Sequence, residues 1–207
     1  MCDAGITIDE LFKTLKSFRR NKSPGIDGIT AEFYIAFWTQ IKDKLFLVYS
    51  DSFISGILPY CLRTGVITLL EKKGKDRLDI ANWRPITLLG IDYKLLTKTL
   101  GERLKLVLPG LIHTDQNGFV PGGNIFFSAH TIRDILLYCK KENLDLLALD
   151  YSKAFDSVNF EFIHKTFEFF NCGENFRKWI KIIFNGGKVI LQIIEIFQKL
   201  LMSNTSG

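Results

Sequence analysis

Apolar residues recur at helical spacing along most of this chain. Ile8, Leu11, Phe12, Leu15 and Phe18 fall three or four positions apart behind Thr7 and Glu10, a capping box, which predicts an amphipathic helix over 8–20. From Ala31 to about Ser55 the positions Phe33, Phe37, Ile41, Leu45, Val48 and Ser52 form one apolar face, with Trp38 flanking it, and predict a second, long helix. Between the two, NKSPGIDG at 21–28 holds two glycines, a proline and an Asp-Gly pair, so it is a structured turn. Further helices are predicted over 93–108, closed by Pro109-Gly110, over 125–142 with Ile132, Ile135, Leu136 and Cys139 on one face, and over 160–170 and 175–184.

The period changes to that of strands in three places. Residues 65–70 are β-branched and apolar, and 83–89 return as their hairpin partner, with Pro85 requiring an edge position. The run 144–150 is too short for a core helix and predicts a buried central strand ending in Asp150. Val189–Phe197 predicts a last strand or the start of a hairpin, and 198–207 a polar loose end. This mixture gives an α+β fold.

With 207 residues, 47% of them hydrophobic, the chain can bury one sizeable core or two lobes, and it is globular in composition. Net charge is +5, and its placement carries the information. Residues 1–60 hold seven basic and seven acidic side chains and residues 106–207 ten of each, whereas 61–105 hold ten basic against five acidic. Confinement of the excess to one segment suggests a polyanionic partner; the alternative is a solubilising surface. Cys2, Cys61, Cys139 and Cys172 form no CxxC pair and His113, His130 and His164 are scattered, so no zinc site is indicated. No apolar run approaches the roughly 20 residues of a membrane span, and the start does not read as a signal peptide. The chain is expected to be intracellular, in nucleus or cytoplasm, and reduced.

Two places carry candidate chemistry. A carboxylate at the end of a buried strand is costly unless compensated, and a hard cation is one way to compensate it; Asp150 as a turn former or helix cap is the other reading. The loop between the hairpin strands, EKKGKDR at 71–77, is strongly basic. Lys72, Lys73 and Lys75 can act as mobile point charges and Arg84 as a planar fork, a combination suited to a triphosphate; a plain solvated hairpin tip is the alternative. The glycine-rich QNGFVPGGN at 116–124 is neither GxGxxG nor a P-loop.

Five blocks, KSPGIDGITAEFY at 22–34, GVITLLEKKGK at 65–75, NWRPITLL at 82–89, QNGFVPG at 116–122 and LDYSKAFDSV at 149–158, together resemble the reverse transcriptases of non-LTR (LINE-type, L1/Tx1-like) retrotransposons in order and spacing. The resemblance covers about residues 8–190. It implies a right-hand polymerase: a helical N-terminal extension over 1–59, fingers over 60–143 and a partial palm over 144–197. In that family a primer 3′-hydroxyl attacks a deoxynucleoside triphosphate, opposite an RNA template, at two Mg²⁺ ions about 3.5–4 Å apart. By motif position Asp150 would bridge both ions, the Tyr151 carbonyl would ligate one, and Phe155 would be the gate against a 2′-hydroxyl. Lys72, Lys73, Lys75 and Arg84 would hold the triphosphate, and Asp27 and Gly28 would lie where the extension approaches the template. Many relatives carry arginine where Gly123 stands.

The family's second acidic block, an aromatic residue before x-Asp-Asp, has no counterpart here: beyond Asp156 the acids are Glu161, Glu168, Glu174 and Glu195. One carboxylate leaves the repulsion between two divalent ions uncompensated. The chain is therefore expected to be a fragment lacking the rest of palm and thumb, inactive alone, with an open apolar face around 144–150 that favours aggregation. The competing function is a non-enzymatic nucleic-acid binder that keeps the basic fingers. A phosphotransferase with Asp150 as nucleophile would want a second acid where Ser152 stands.

Overall fold

The computed structural model describes residues 2–76, 78–151, 154 and 157–191. Within them the protein is α+β, helix-rich with one small mixed sheet. Two compact units share the chain: Met1–Asp3 with Leu100–Arg177, and Ala4–Thr99 with Lys178–Gly207.

The second of these units begins with α1 (Ile8–Lys16), where the Thr7 hydroxyl accepts the Glu10 N–H at 3.2 Å as the capping box requires. The helix stops short of the expected residue 20. The Ser17 hydroxyl and N–H both turn back to the Thr14 carbonyl, and Asn21 then enters the left-handed region at φ 56°. The single helix expected over 31–55 is two, α2 (Ala31–Ala36) and α3 (Trp38–Ser55), broken at Phe37 where the backbone leaves the helical region at φ −106°, ψ 20°. Trp38 at the start of α3 is buried and stacks on Phe12, centroids 5.4 Å apart and planes 12° from parallel. The buried face is accordingly Tyr34, Trp38, Tyr49 and Ser52, while the expected core residues Phe33 and Phe37 are exposed and pair with each other at 4.7 Å. Gly56, at φ 77°, ends α3.

β1 (Thr64–Glu71) and β2 (Trp83–Leu88) form the expected antiparallel hairpin, in register from Val66 opposite Leu88 to Glu71 opposite Trp83. Strand order is β2-β1-β3, so Pro85 does lie on an edge strand, where its missing N–H costs no ladder bond. β3 (Lys188–Leu191) is the expected last strand in part; it joins the far side of β1 in parallel, Thr64 opposite Lys188, and its predicted continuation to Phe197 lies outside the described residues. The Lys188 N–H donates to the Arg63 carbonyl at 2.8 Å and the Arg63 guanidinium to the Gly186 carbonyl at 3.3 Å, which starts this third strand. The core of the unit is Leu11, Leu15, Tyr49, Leu58, Leu95, Leu96 and Ile182, all essentially inaccessible. Burying such side chains contributes about 1.5–3 kcal/mol each.

α4 (Ile91–Leu111) starts earlier than expected and runs through Pro109, which sits in its last turn; the helix closes only with the Ile112 N–H on the Leu108 carbonyl. In the other unit α5 (Ile125–Glu142) and α6 (Phe160–Phe169) are capped by Asn124 and Asn159, and α5 ends at Asn143, which is left-handed at φ 54°. The Asp3 carboxylate accepts the Phe176 N–H at 2.9 Å in the first turn of α7 (Glu174–Phe184). Gly173 permits this, because a Cβ there would strike the Asp3 side chain.

The predicted buried strand over 144–150 is not formed. These residues have no regular structure, and Leu147 and Leu149 are 79% and 83% exposed. An apolar run becomes a strand only when a neighbour supplies the ladder, and none of the described strands pairs with it. For the same reason the apolar face expected on α5 is uncovered: no residue of that helix is buried.

Candidate nucleotide and nucleic-acid site

The basic hairpin is a built structure, not a loose tip. The Lys72 N–H donates to the Asn82 carbonyl at 2.9 Å, and its ammonium reaches the Ala81 carbonyl at 2.7 Å. Across the loop Asp79 accepts the Ala81 N–H at 2.9 Å, Asp76 accepts the Leu78 N–H at 2.9 Å, and the Asn82 amide donates to the Asp76 carbonyl at 3.0 Å. These Asx bonds fold the loop back onto the strand ends. Asp76, Asp79 and Asn82 were legible only as turn formers; their joint role depends on how the loop closes.

Register decides which cations work together. Arg84 lies opposite Leu70, and two positions toward the tip Lys72 lies beside Asn82. Residues two apart share a face of a β-ribbon, so Arg84 and Lys72 belong to the same face. Arg84, Lys73 and Lys75 are exposed, and the side chains of Lys73 and Lys75 have no partner among the described residues. A guanidinium fork and an ammonium group on one face can together hold an anion with several oxygens.

The turn at 23–28 is tied to the base of this hairpin. The Gly28 N–H bonds to the Gly25 carbonyl at 3.2 Å with Gly28 at φ 70°, and Asp27 accepts the Ile29 N–H at 3.1 Å. Gly25 rests on the β2–α4 junction so closely that a Cβ would lie 2.5 Å from the Gly90 nitrogen. Asp27 thereby comes near Asp92 in the first turn of α4. Burial raises the Asp92 carboxyl above the usual carboxylate range, and the Asp27 charge adds to this against the bond from the Tyr93 N–H. The Tyr49 hydroxyl donates to the Asp92 carbonyl oxygen at 2.8 Å. Gly90 and Asp92 carried no signal in the sequence, because their significance arises only from this contact.

Asp150 belongs to the other unit, as does Tyr151, and both are exposed. Phe155 lies outside the described residues. The desolvation cost expected of a buried strand-end carboxylate does not arise, because this one is exposed. Among the described residues no three His, Cys, Asp or Glu side chains group as metal ligands. The glycine-rich loop borders an open cleft of about 660 Å³ lined by Asn117, Gly118, Gly122, Gly123, Asn124, Ile125 and Ser128. Among the described residues no charged group lines it.

Charge separates with the two units. The unit bearing the hairpin holds 19 basic and 11 acidic side chains; the unit bearing Asp150 holds 8 and 11. Among the described residues no helix is long and apolar enough to cross a membrane.

This chain belongs to the reverse transcriptase (RNA-dependent DNA polymerase) family, whose sequence profile matches residues 70–202. Among curated relatives, the transposon TX1 uncharacterized 149 kDa protein of Xenopus laevis is 40% identical over 190 residues, 91% of this chain and 14% of that protein. The probable RNA-directed DNA polymerase from transposon X-element of Drosophila melanogaster is 30% identical over 67% of this chain and 16% of its own length. That from transposon BS of the same organism is 26% identical over 74% and 17%. The retrotransposon resemblance is thus borne out, and the chain spans about one sixth of these relatives or less.

Proposed function

We propose that this chain is the fingers and the first palm motif of an RNA-directed DNA polymerase, unable to polymerise by itself. The observation that carries this reading is the match of residues 70–202 to the reverse transcriptase (RNA-dependent DNA polymerase) profile, a span that includes the hairpin loop and β2, where register sets Arg84 and Lys72 on one face. In this reading Arg84 and Lys72, with Lys73 and Lys75 beside them, bind the triphosphate of an incoming deoxynucleotide. The β2–α4 junction, braced by the turn at Gly25–Gly28, fixes the angle of the ribbon, and Asp27 and Gly28 face the RNA template.

Mg²⁺ is the family's ion, and Asp150 with the Tyr151 carbonyl are the donors its motif assigns. A single solvated carboxylate does not hold two such ions, so no catalytic step runs through them in this chain. Phe155 is the proposed gate against ribonucleotides. Residues 60–143 take the part of fingers and residues 144–197 that of a partial palm.

Primer extension on an RNA template tests the proposal. The 207-residue chain with Mg²⁺ and deoxynucleotides is expected to add no nucleotide above the level of Asp150→Asn. Extension by the wild-type chain, lost in that variant, would overturn it. The charge imbalance between units favours one further reading, a nucleic-acid binder without catalysis. It predicts salt-sensitive binding to RNA that Asp150→Asn leaves unchanged.

A further inference from the structure

We propose that the C-terminal turn of α1 and the segment after it form a second nucleic-acid contact, separate from the hairpin, that grips the phosphodiester backbone. The proposal rests on the reading of this chain as a nucleic-acid-handling protein. It assigns the contact to Lys13, Lys16, Arg19, Arg20 and Lys22.

Between residues 11 and 26 there are five basic side chains and no acidic one, and all five are exposed. By contrast the hairpin loop over 71–79 interleaves four basic residues with three acidic ones. Along the sequence the α1 segment is therefore the more one-signed of the two. None of the five makes an ion pair among the described residues, although the Glu32 carboxylate is within electrostatic reach of Arg20.

Helix chemistry accounts for only part of this run. Cations in a last turn complement the helix dipole, which explains Lys13 and Lys16. Arg19, Arg20 and Lys22 stand beyond the helix, where the dipole no longer acts. Lys13 and Lys16 are three apart and share the face opposite buried Leu11, Thr14 and Leu15. The Lys16 ammonium lies over the Phe12 ring, 4.0 Å from its centre, and Phe12 is itself stacked on Trp38.

The segment beyond the helix is held in shape. The Asn21 N–H donates to the Glu32 carboxylate at 2.7 Å, and Asn21 takes the left-handed conformation that turns the chain toward Lys22. The charges are thus presented by a fixed backbone, which lowers the entropy lost on binding an extended polyanion. A row of point charges and forks without hydrogen-bond acceptors reads phosphate and not base edges, so the contact is independent of sequence.

Binding of the full 207-residue chain to a fluorescent single-stranded RNA and to an RNA–DNA hybrid duplex, followed across a salt series, is the test. Five phosphate contacts correspond to log–log salt slopes of about −3.5 on the single strand and about −4.5 on a duplex. The variant K13Q/K16Q/R19Q/R20Q/K22Q should bind at least about tenfold more weakly at low salt, with a slope shallower by about 3.5 on the single strand and about 4.5 on the duplex. K72Q/K73Q/K75Q should keep the α1-dependent part of the slope. The strand or duplex showing the larger loss identifies the bound form. Glutamine at exposed positions leaves the fold intact, which circular dichroism of the variant checks. An unchanged affinity and slope in the five-site variant would overturn the α1 contact while leaving the nucleic-acid reading in place. A wild-type chain that binds neither probe would overturn that reading as well. Binding to anionic phosphatidylserine vesicles with no binding to either nucleic acid would assign the surface to membranes and overturn the proposal.

Discussion

Asp92 shows how a side chain without a motif acquires an energetic role. Its carboxyl is raised by burial and by Asp27, so in the folded state it holds a proton at pH values where the unfolded chain has lost it. The native state then binds more protons than the unfolded one, and stability falls as pH rises through the folded value. Asp92→Asn should remove that contribution: the stability difference between variant and wild type should grow in the variant's favour from about pH 4 to about pH 7, as read from urea melts across that range. Gly25 is the matching case for backbone. A methyl group there meets the Gly90 backbone, which cannot swing away as a side chain does, so Gly25→Ala should cost about 1–3 kcal/mol. Equilibrium unfolding measures it, and a variant as stable as wild type would show that the turn does not brace the junction.

Among the elements, the hairpin and the run 144–150 stand at opposite ends of legibility. β1 and β2 were readable because alternation, Pro85 and a charged loop agree on one hairpin, and β1 carries its partners in the described chain. The second strand pattern, over 144–150, was equally apolar and yet stays unpaired and exposed. A strand is a property of two segments, and periodicity reports only one of them. The kink at Phe37 was illegible for a related reason: both segments have helical spacing, and the burial of Trp38 against Phe12 decides how they are turned. Because Leu147 and Leu149 are solvated, Leu147→Lys with Leu149→Lys should change stability by less than about 0.5 kcal/mol. The same pair should raise the concentration at which light scattering detects aggregates, since it breaks up an exposed apolar patch.

At the scale of the whole molecule, charge is partitioned between the two compact units, and that partition makes a prediction of its own. Nucleic acid should associate with the unit holding 19 basic side chains and not with the one in which acids outnumber bases. Hydrogen–deuterium exchange with single-stranded RNA added should slow at residues 13–22 and 72–84 and leave α5 unchanged. Slowing confined to α5 would show that the unit charge does not direct binding.

The sequence by itself determined the family, the helical content, the hairpin with its edge proline, and the identity of the hairpin cations, because these depend on local pattern and on residue order. Tertiary structure alone decided that Arg84 and Lys72 share a face, that Gly25 rests on Gly90 and brings Asp27 toward Asp92, and that Asp150 is solvated. Each of those depends on where distant segments come to lie, and a burial or pairing needs a second surface that no local pattern describes.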